Sequence, residues 1–156
     1  MPAGPEHVPL QTFNPLLDEG NHVNLSVILR LGTGAALIGI AGVHLQIAGT
    51  HRGIGTQPLS LDDQFYLQAA TAVLLTAALL KKPHLLVWLT SAAFAAGSLA
   101  VLVYSRYKTI PVYGFPGGFQ ESWSTRGAKP AAWFEGLALA LSLAGASRAE
   151  RGTQRP

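Results

Sequence analysis

Apolar residues gather in four runs, 25–48, 65–80, 85–104 and 131–146, set apart by polar segments bearing glycine and proline. A bilayer core about 30 Å thick needs roughly 20 apolar residues of helix to cross it. The first and third runs meet that length unaided. The second and fourth, near 16 residues each, meet it only if flanking residues join the helix or the bilayer thins locally. For the second run the flank supplies the residues. Ser60 ahead of Asp62 and Asp63 reads as a cap with negative charge in the first turn, which starts that helix near Leu61. The pattern predicts an all-α fold, a four-transmembrane-helix up-down bundle with a long extramembrane loop between helices 3 and 4.

The segments between the runs support this division. Residues 1–24 form an N-terminal tail, with Pro2, Pro5, Pro9 and Pro15 blocking regular helix. The tail carries Glu6, Asp18 and Glu19, the wrong charge for a secretion signal, so the first helix reads as an uncleaved anchor. Within it, residues 10–17 have enough apolar character to lie on a membrane surface, and a loose tail is the plainer reading. The bundle occupies 25–147, its first helix capped at Asn24 or Ser26, and a basic tail fills 148–156. Lys81-Lys82-Pro83-His84 is a tight hairpin, since lysines suit a helix C-terminus and proline stops the helix.

Small residues recur at four-residue spacing in three helices: Gly32/Ala36 and Ala35/Gly39, Ala92/Ala96/Ala100 with Ala93/Gly97, and Gly136/Ala140/Ala144. Helices in lipid gain no hydrophobic drive toward one another, so close backbone approach must supply the contact. These faces predict packing against a neighbour. The third loop, 105–130, is long and aromatic. Tyr107, Tyr113, Phe115, Phe119, Trp123 and Trp133 suit an interfacial belt, and a lid over a site is the second reading.

Composition fits the same class. Hydrophobic residues make up 49% of the chain and charged residues 12%, about half the usual charged share. The net charge of +3 is spread over loops and tail, so no nucleic-acid surface is predicted. Cysteine is absent, which excludes disulfides, thiol redox chemistry and thiolate metal sites. The only methionine is Met1, which argues against copper(I) transport. Basic residues barely favour an orientation. Arg30, Lys81, Lys82, Arg148, Arg151 and Arg155 share the side of the termini, and Arg52, Arg106, Lys108, Arg126 and Lys129 take the other. The compact lysine turn and the basic tail tip the reading toward a cell-membrane protein with cytoplasmic termini.

Ionisable and amide groups in the spans carry the only candidate chemistry. Arg30 lies about a turn inside helix 1 and can snorkel to the interface. His44, Gln68, Tyr104, Arg106 and Glu135 all fall near the helix ends beside loops one and three. An up-down bundle brings those ends to one side, so four helices offer polar groups to one layer. One reading is structural, with Glu135 paired to Arg106 or His44. The other is a pocket for a small ligand, a proton or a metal ion. No pair among His44, His51, Asp62, Asp63 and Glu135 has a recognised metal-ligand spacing. A bis-histidine haem lacks its second ligand, because only His44 lies within a span. No nucleophile elbow, phosphate loop or dinucleotide fingerprint occurs, so no catalytic residue is assigned.

His44-Leu45, Phe65-Tyr66-Leu67-Gln68, Ala96-Gly97-Ser98, Tyr104-Ser105-Arg106, Tyr113-Gly114-Phe115-Pro116 and Glu135 follow one another in an order that resembles a family of bacterial, mainly actinobacterial, four-helix integral membrane proteins of uncharacterised activity. The resemblance implies topology and no reaction. The first loop, Gly53-Ile54-Gly55-Thr56-Gln57-Pro58, departs from that group's aromatic-proline wording. Small size, small-residue faces and the missing reaction motif point to a non-enzymatic accessory or assembly subunit. Its expected partners are the bilayer and other membrane subunits or further copies of itself. The alternative is a binding or transport protein that uses the polar layer.

Overall fold

The computed structural model describes residues 24–56, 60–112, 114–124 and 127–153. Most of the N-terminal tail lies outside these residues, with its 10–17 segment, as do Tyr113, Arg126 and Arg155. Four helices follow in order: α1 Leu25–Thr50, α2 Leu61–Lys81, α3 Leu85–Tyr107 and α4 Ala128–Thr153. Each helix begins or ends for a local reason. The Asn24 side chain accepts from the Ser26 amide at 3.0 Å and caps α1. Ser60 precedes α2 and donates to the Asp63 carboxylate one turn on. Lys82 closes α2, and Pro83 separates it from α3.

Neighbouring helices run antiparallel. Early α1 meets late α2 through Gly34 and Thr76, and late α1 meets early α4 through Gly39 and Phe134. Trp88, early in α3, covers Gly145, late in α4. The closest packing joins α1 to α2, α1 to α4 and α3 to α4; α2 and α3 touch far less. Leu37, Ile40, Leu79, Trp88 and several alanines form the main core, and Val43, Ile47 and Ala131 a second cluster toward the far end.

Arg30 does more than reach the interface. Its Nε donates to the Leu79 carbonyl at 3.2 Å, and its Nη2 donates to the Leu80 carbonyl. The last carbonyls of a helix have no partner within it. The α1 guanidinium therefore caps α2, beside the lysine turn.

The small-residue faces divide. Gly32, Gly34, Gly39 and Gly145 lie against other helices of the same chain. Ala93 and Gly97 on α3, and Ala140 and Ala144 on α4, are exposed. The first group is used in folding; the second faces outward among Leu86, Val101, Leu137 and Leu143.

α1, α2 and α3 are long and apolar enough to cross a membrane, which fits a multi-pass membrane protein. The outward positions Leu31, Leu67, Leu74 and Leu86 are each more than half exposed, as lipid-facing helices require. α4 is as long as α1, but alanine, glycine and serine dilute its apolar middle, and Glu135 and Arg148 bracket it.

The third loop departs from an all-α fold. Two short strands, β1 Ile110–Val112 and β2 Phe115–Phe119, pair antiparallel, with a register shift between Ile110 and Val112. Gly118 sits in the shifted segment at φ +62°, and a Cβ there would come within 2.7 Å of the Ile110 carbonyl oxygen. Only glycine combines that backbone with that approach. The loop is thus a folded hairpin, seated at the end where α1 finishes and α2 begins.

Candidate functional site

Helical periodicity decides which side chains reach the space beneath the hairpin. In α3 the inward positions are Ser98, Leu102 and Ser105, spaced i, i+4, i+7, and the half-exposed Val101 also borders the space. In α4 they include Ala131 and Glu135; in α2, Leu61, Phe65 and Gln68; in α1, His44 and Ile47. These residues, with Ile110, Val112, Phe119 and Glu121 from the hairpin segment, line a cavity of about 250 Å³.

The hairpin is held over this cavity by aromatic contacts. His51, the residue closing α1, is buried, and its Nδ1 lies 2.9 Å from the Ile47 carbonyl oxygen. Its ring meets Phe65 at 5.4 Å and, edge-on, Phe119 at 5.2 Å. Offset and edge-to-face arrangements are the preferred ones for such rings. The Glu121 amide donates to the Ser105 carbonyl at 3.0 Å, which ties the far end of the hairpin to α3.

Glu135 is the centre of the polar groups. It is 1% exposed. Ser98 Oγ donates to its Oε1 at 2.5 Å. His44 Nε2 stands 3.9 Å from the same oxygen, too far for a direct hydrogen bond. Among the described residues, Oε2 has no hydrogen-bond partner. His44 is itself buried, with Nδ1 2.9 Å from the Ile40 carbonyl. A carbonyl only accepts, so Nδ1 carries the proton. The Gln68 side chain reaches the same ring. Phe65 packs on it at 5.6 Å.

Three of the five residues expected in a polar layer therefore come together: His44, Gln68 and Glu135. Tyr104 and Arg106 do not join them. They flank Ser105 on α3, and one residue of helix turns a side chain by about 100°. Tyr104 is 57% exposed and points outward. Arg106 has its Nε buried without a partner among the described residues, and its carbonyl accepts from Gln120 at 3.2 Å. Of the two partners expected for Glu135, Arg106 stays away and His44 stands nearby at 3.9 Å, and Ser98 makes the hydrogen bond. Ser98, Ser105 and Glu121 were not foreseen. The recurrence of serine at 91, 98 and 105, one helix face at seven-residue spacing, was the available signal for the first two. Glu121 had none, because its position depends on the hairpin.

Among the described residues, no group of three or more His, Asp or Glu side chains is placed to hold a metal ion. What the cavity offers is a largely apolar wall with polar groups from His44, Gln68, Ser98, Ser105, Glu121 and Glu135. Compared with known proteins, the chain matches no family model, no curated protein and no solved structure.

Proposed function

We propose that this chain is a four-span membrane protein that binds a small ligand in the cavity beneath the hairpin. The observation that carries the reading is Glu135, a buried carboxylate that lines the cavity and whose Oε2 has no hydrogen-bond partner among the described residues. Buried polar groups are nearly always hydrogen-bonded, so an exception calls for a partner. At about 250 Å³ the cavity is below the range of drug-sized pockets, and the ligand is correspondingly small. An accessory role is the second reading, and the exposed Ala93/Gly97 and Ala140/Ala144 faces favour it as contact surfaces for another membrane subunit or a second copy.

The fourth span rests on packing. α4 lies antiparallel along both α1 and α3, and at 26 residues it is about 39 Å long. A helix packed along two spanning helices traverses the same slab. Its polar Glu135 faces inward, so only Ala, Gly and Leu positions meet lipid over the middle turns. Exposed Tyr66, Tyr104, Tyr107 and Trp133 lie at the hairpin end of the four helices, where an aromatic belt is expected. In this reading the lysine turn and the termini are cytoplasmic.

The natural absence of cysteine makes both halves of the proposal testable by single thiols. Lys82→Cys and Gly117→Cys in intact cells should react with an impermeant reagent from opposite sides, Gly117→Cys from outside. Reaction of both from one side would sink the four-span topology. For the cavity, Ser105→Cys is the probe: Ser105 is 2% exposed yet lines it. A small neutral methanethiosulfonate should modify it within minutes. Ser91→Cys, on the same face but against packed core, should stay inert. Equal inertness at both positions would mean that nothing small enters, and the ligand-binding reading would fall.

A further inference from the structure

We infer that the cavity is built for a small organic ammonium ion, a protonated amine on an apolar body. This rests on the ligand-binding reading above and specifies the ligand's chemistry. Four features of the lining point the same way. Among the described residues, the charged side chains that line it are carboxylates, Glu135 in α4 and Glu121 below the hairpin, with no lysine or arginine. Glu135, which lines the cavity, has an Oε2 without a hydrogen-bond partner among the described residues, and that oxygen is an acceptor when ionised. His44, with Nδ1 committed to the Ile40 carbonyl, and Gln68, which reaches the same ring, complete the polar side of the lining.

The remaining surface suits a cation as well. Phe65 and Phe119 line the same space. An aromatic face attracts an ammonium group through its quadrupole. A carboxylate kept away from water is costly alone and is relieved by a paired cation. The body of the ligand meets Ile47, Val101, Leu102, Ile110 and Val112. A dry cavity of roughly 150 Å³ suffices for benzene, so about 250 Å³ takes a single ring with a short aminoalkyl arm.

Benzylammonium, benzyl alcohol and benzoate share size and ring and differ in charge. Each is titrated against the purified full-length chain in detergent, read as the rise of the thermal unfolding midpoint with concentration. Benzylammonium should bind tightest, benzyl alcohol weakly and benzoate not at all. Glu135→Gln, which keeps the shape and removes the charge, should weaken benzylammonium on the order of thirtyfold or more and leave the alcohol unchanged. Equal or better binding of benzoate or the alcohol overturns the inference and leaves the cavity reading in place. So does benzylammonium binding that survives Glu135→Gln. If that variant does not fold, the ranking of the three probes on the unaltered chain decides alone. Failure of all three with Ser105→Cys still reactive overturns the ammonium assignment; failure of all three with Ser105→Cys inert overturns both readings.

Discussion

Trp88→Ala should lower stability in detergent by about 3 kcal/mol, the low end for truncating a buried tryptophan. Trp88 is 3% exposed, and its ring lies flat enough on Gly145 that a Cβ there would collide with it. It is the largest side chain in the main core. The low end is the right choice because helix association in lipid gains little from transfer out of water, which leaves lost dispersion contacts and the residual cavity. Trp133→Ala is the matched control. Trp133 is 80% exposed, and its loss should change stability by no more than about 0.5 kcal/mol. Unfolding by a denaturing detergent, followed by the helical signal, compares the two. Similar losses would mean that α3 and α4 do not pack as described.

Gly39→Leu should be comparably damaging, by the opposite mechanism. A Cβ at Gly39 would come within 2.5 Å of the Phe134 ring, before any further leucine atom is placed. Overpacking of this kind costs about 1–3 kcal/mol and occasionally more. Leucine is also a better helix former than glycine, by roughly 1 kcal/mol, which offsets part of the damage. Gly42→Leu isolates that offset, because nothing lies within 4 Å of a Cβ there. Gly42→Leu should therefore be neutral or stabilising, and Gly39→Leu destabilising by about 2 kcal/mol relative to it. Adding Phe134→Ala to Gly39→Leu should recover part of the loss, since contacting sites are not additive. Phe134 precedes Glu135, so the clash also displaces the carboxylate. Without the rescue, the α1–α4 contact is not where Gly39 meets Phe134.

The two substitutions rest on different kinds of information. Gly39 could be marked as a packing glycine from its spacing to Ala35, yet Ala35 itself is exposed and only Gly39 is covered. Spacing identifies a helix face. It does not say which neighbour supplies the bulk, because that depends on how two helices are rotated against each other. The site followed the same rule. His44, Gln68 and Glu135 were legible as polar residues near matching helix ends. Tyr104 and Arg106 lie at the same height, and height is what topology predicts. Rotation about the helix axis, which puts Ser98 and Ser105 inside and their neighbours outside, was readable only once the inward face of α3 was known.

What the amino-acid sequence determined alone is what depends on short-range chemistry. The helices follow from long apolar runs, the Asn24 cap, the start at Leu61 and the stop before Pro83, because each needs only residues within a turn or two. What tertiary structure decided depends on residues far apart in the chain. Arg30 became the cap of α2 because antiparallel packing brings it to Leu79 and Leu80. The third loop's hairpin rests Phe119 on His51, which is itself packed against Phe65. Glu135 took Ser98 rather than Arg106 because α3 presents its serine face to α4. Only that convergence of four helices and a hairpin forms the cavity and sets into its lining a buried carboxylate with one oxygen unpartnered among the described residues.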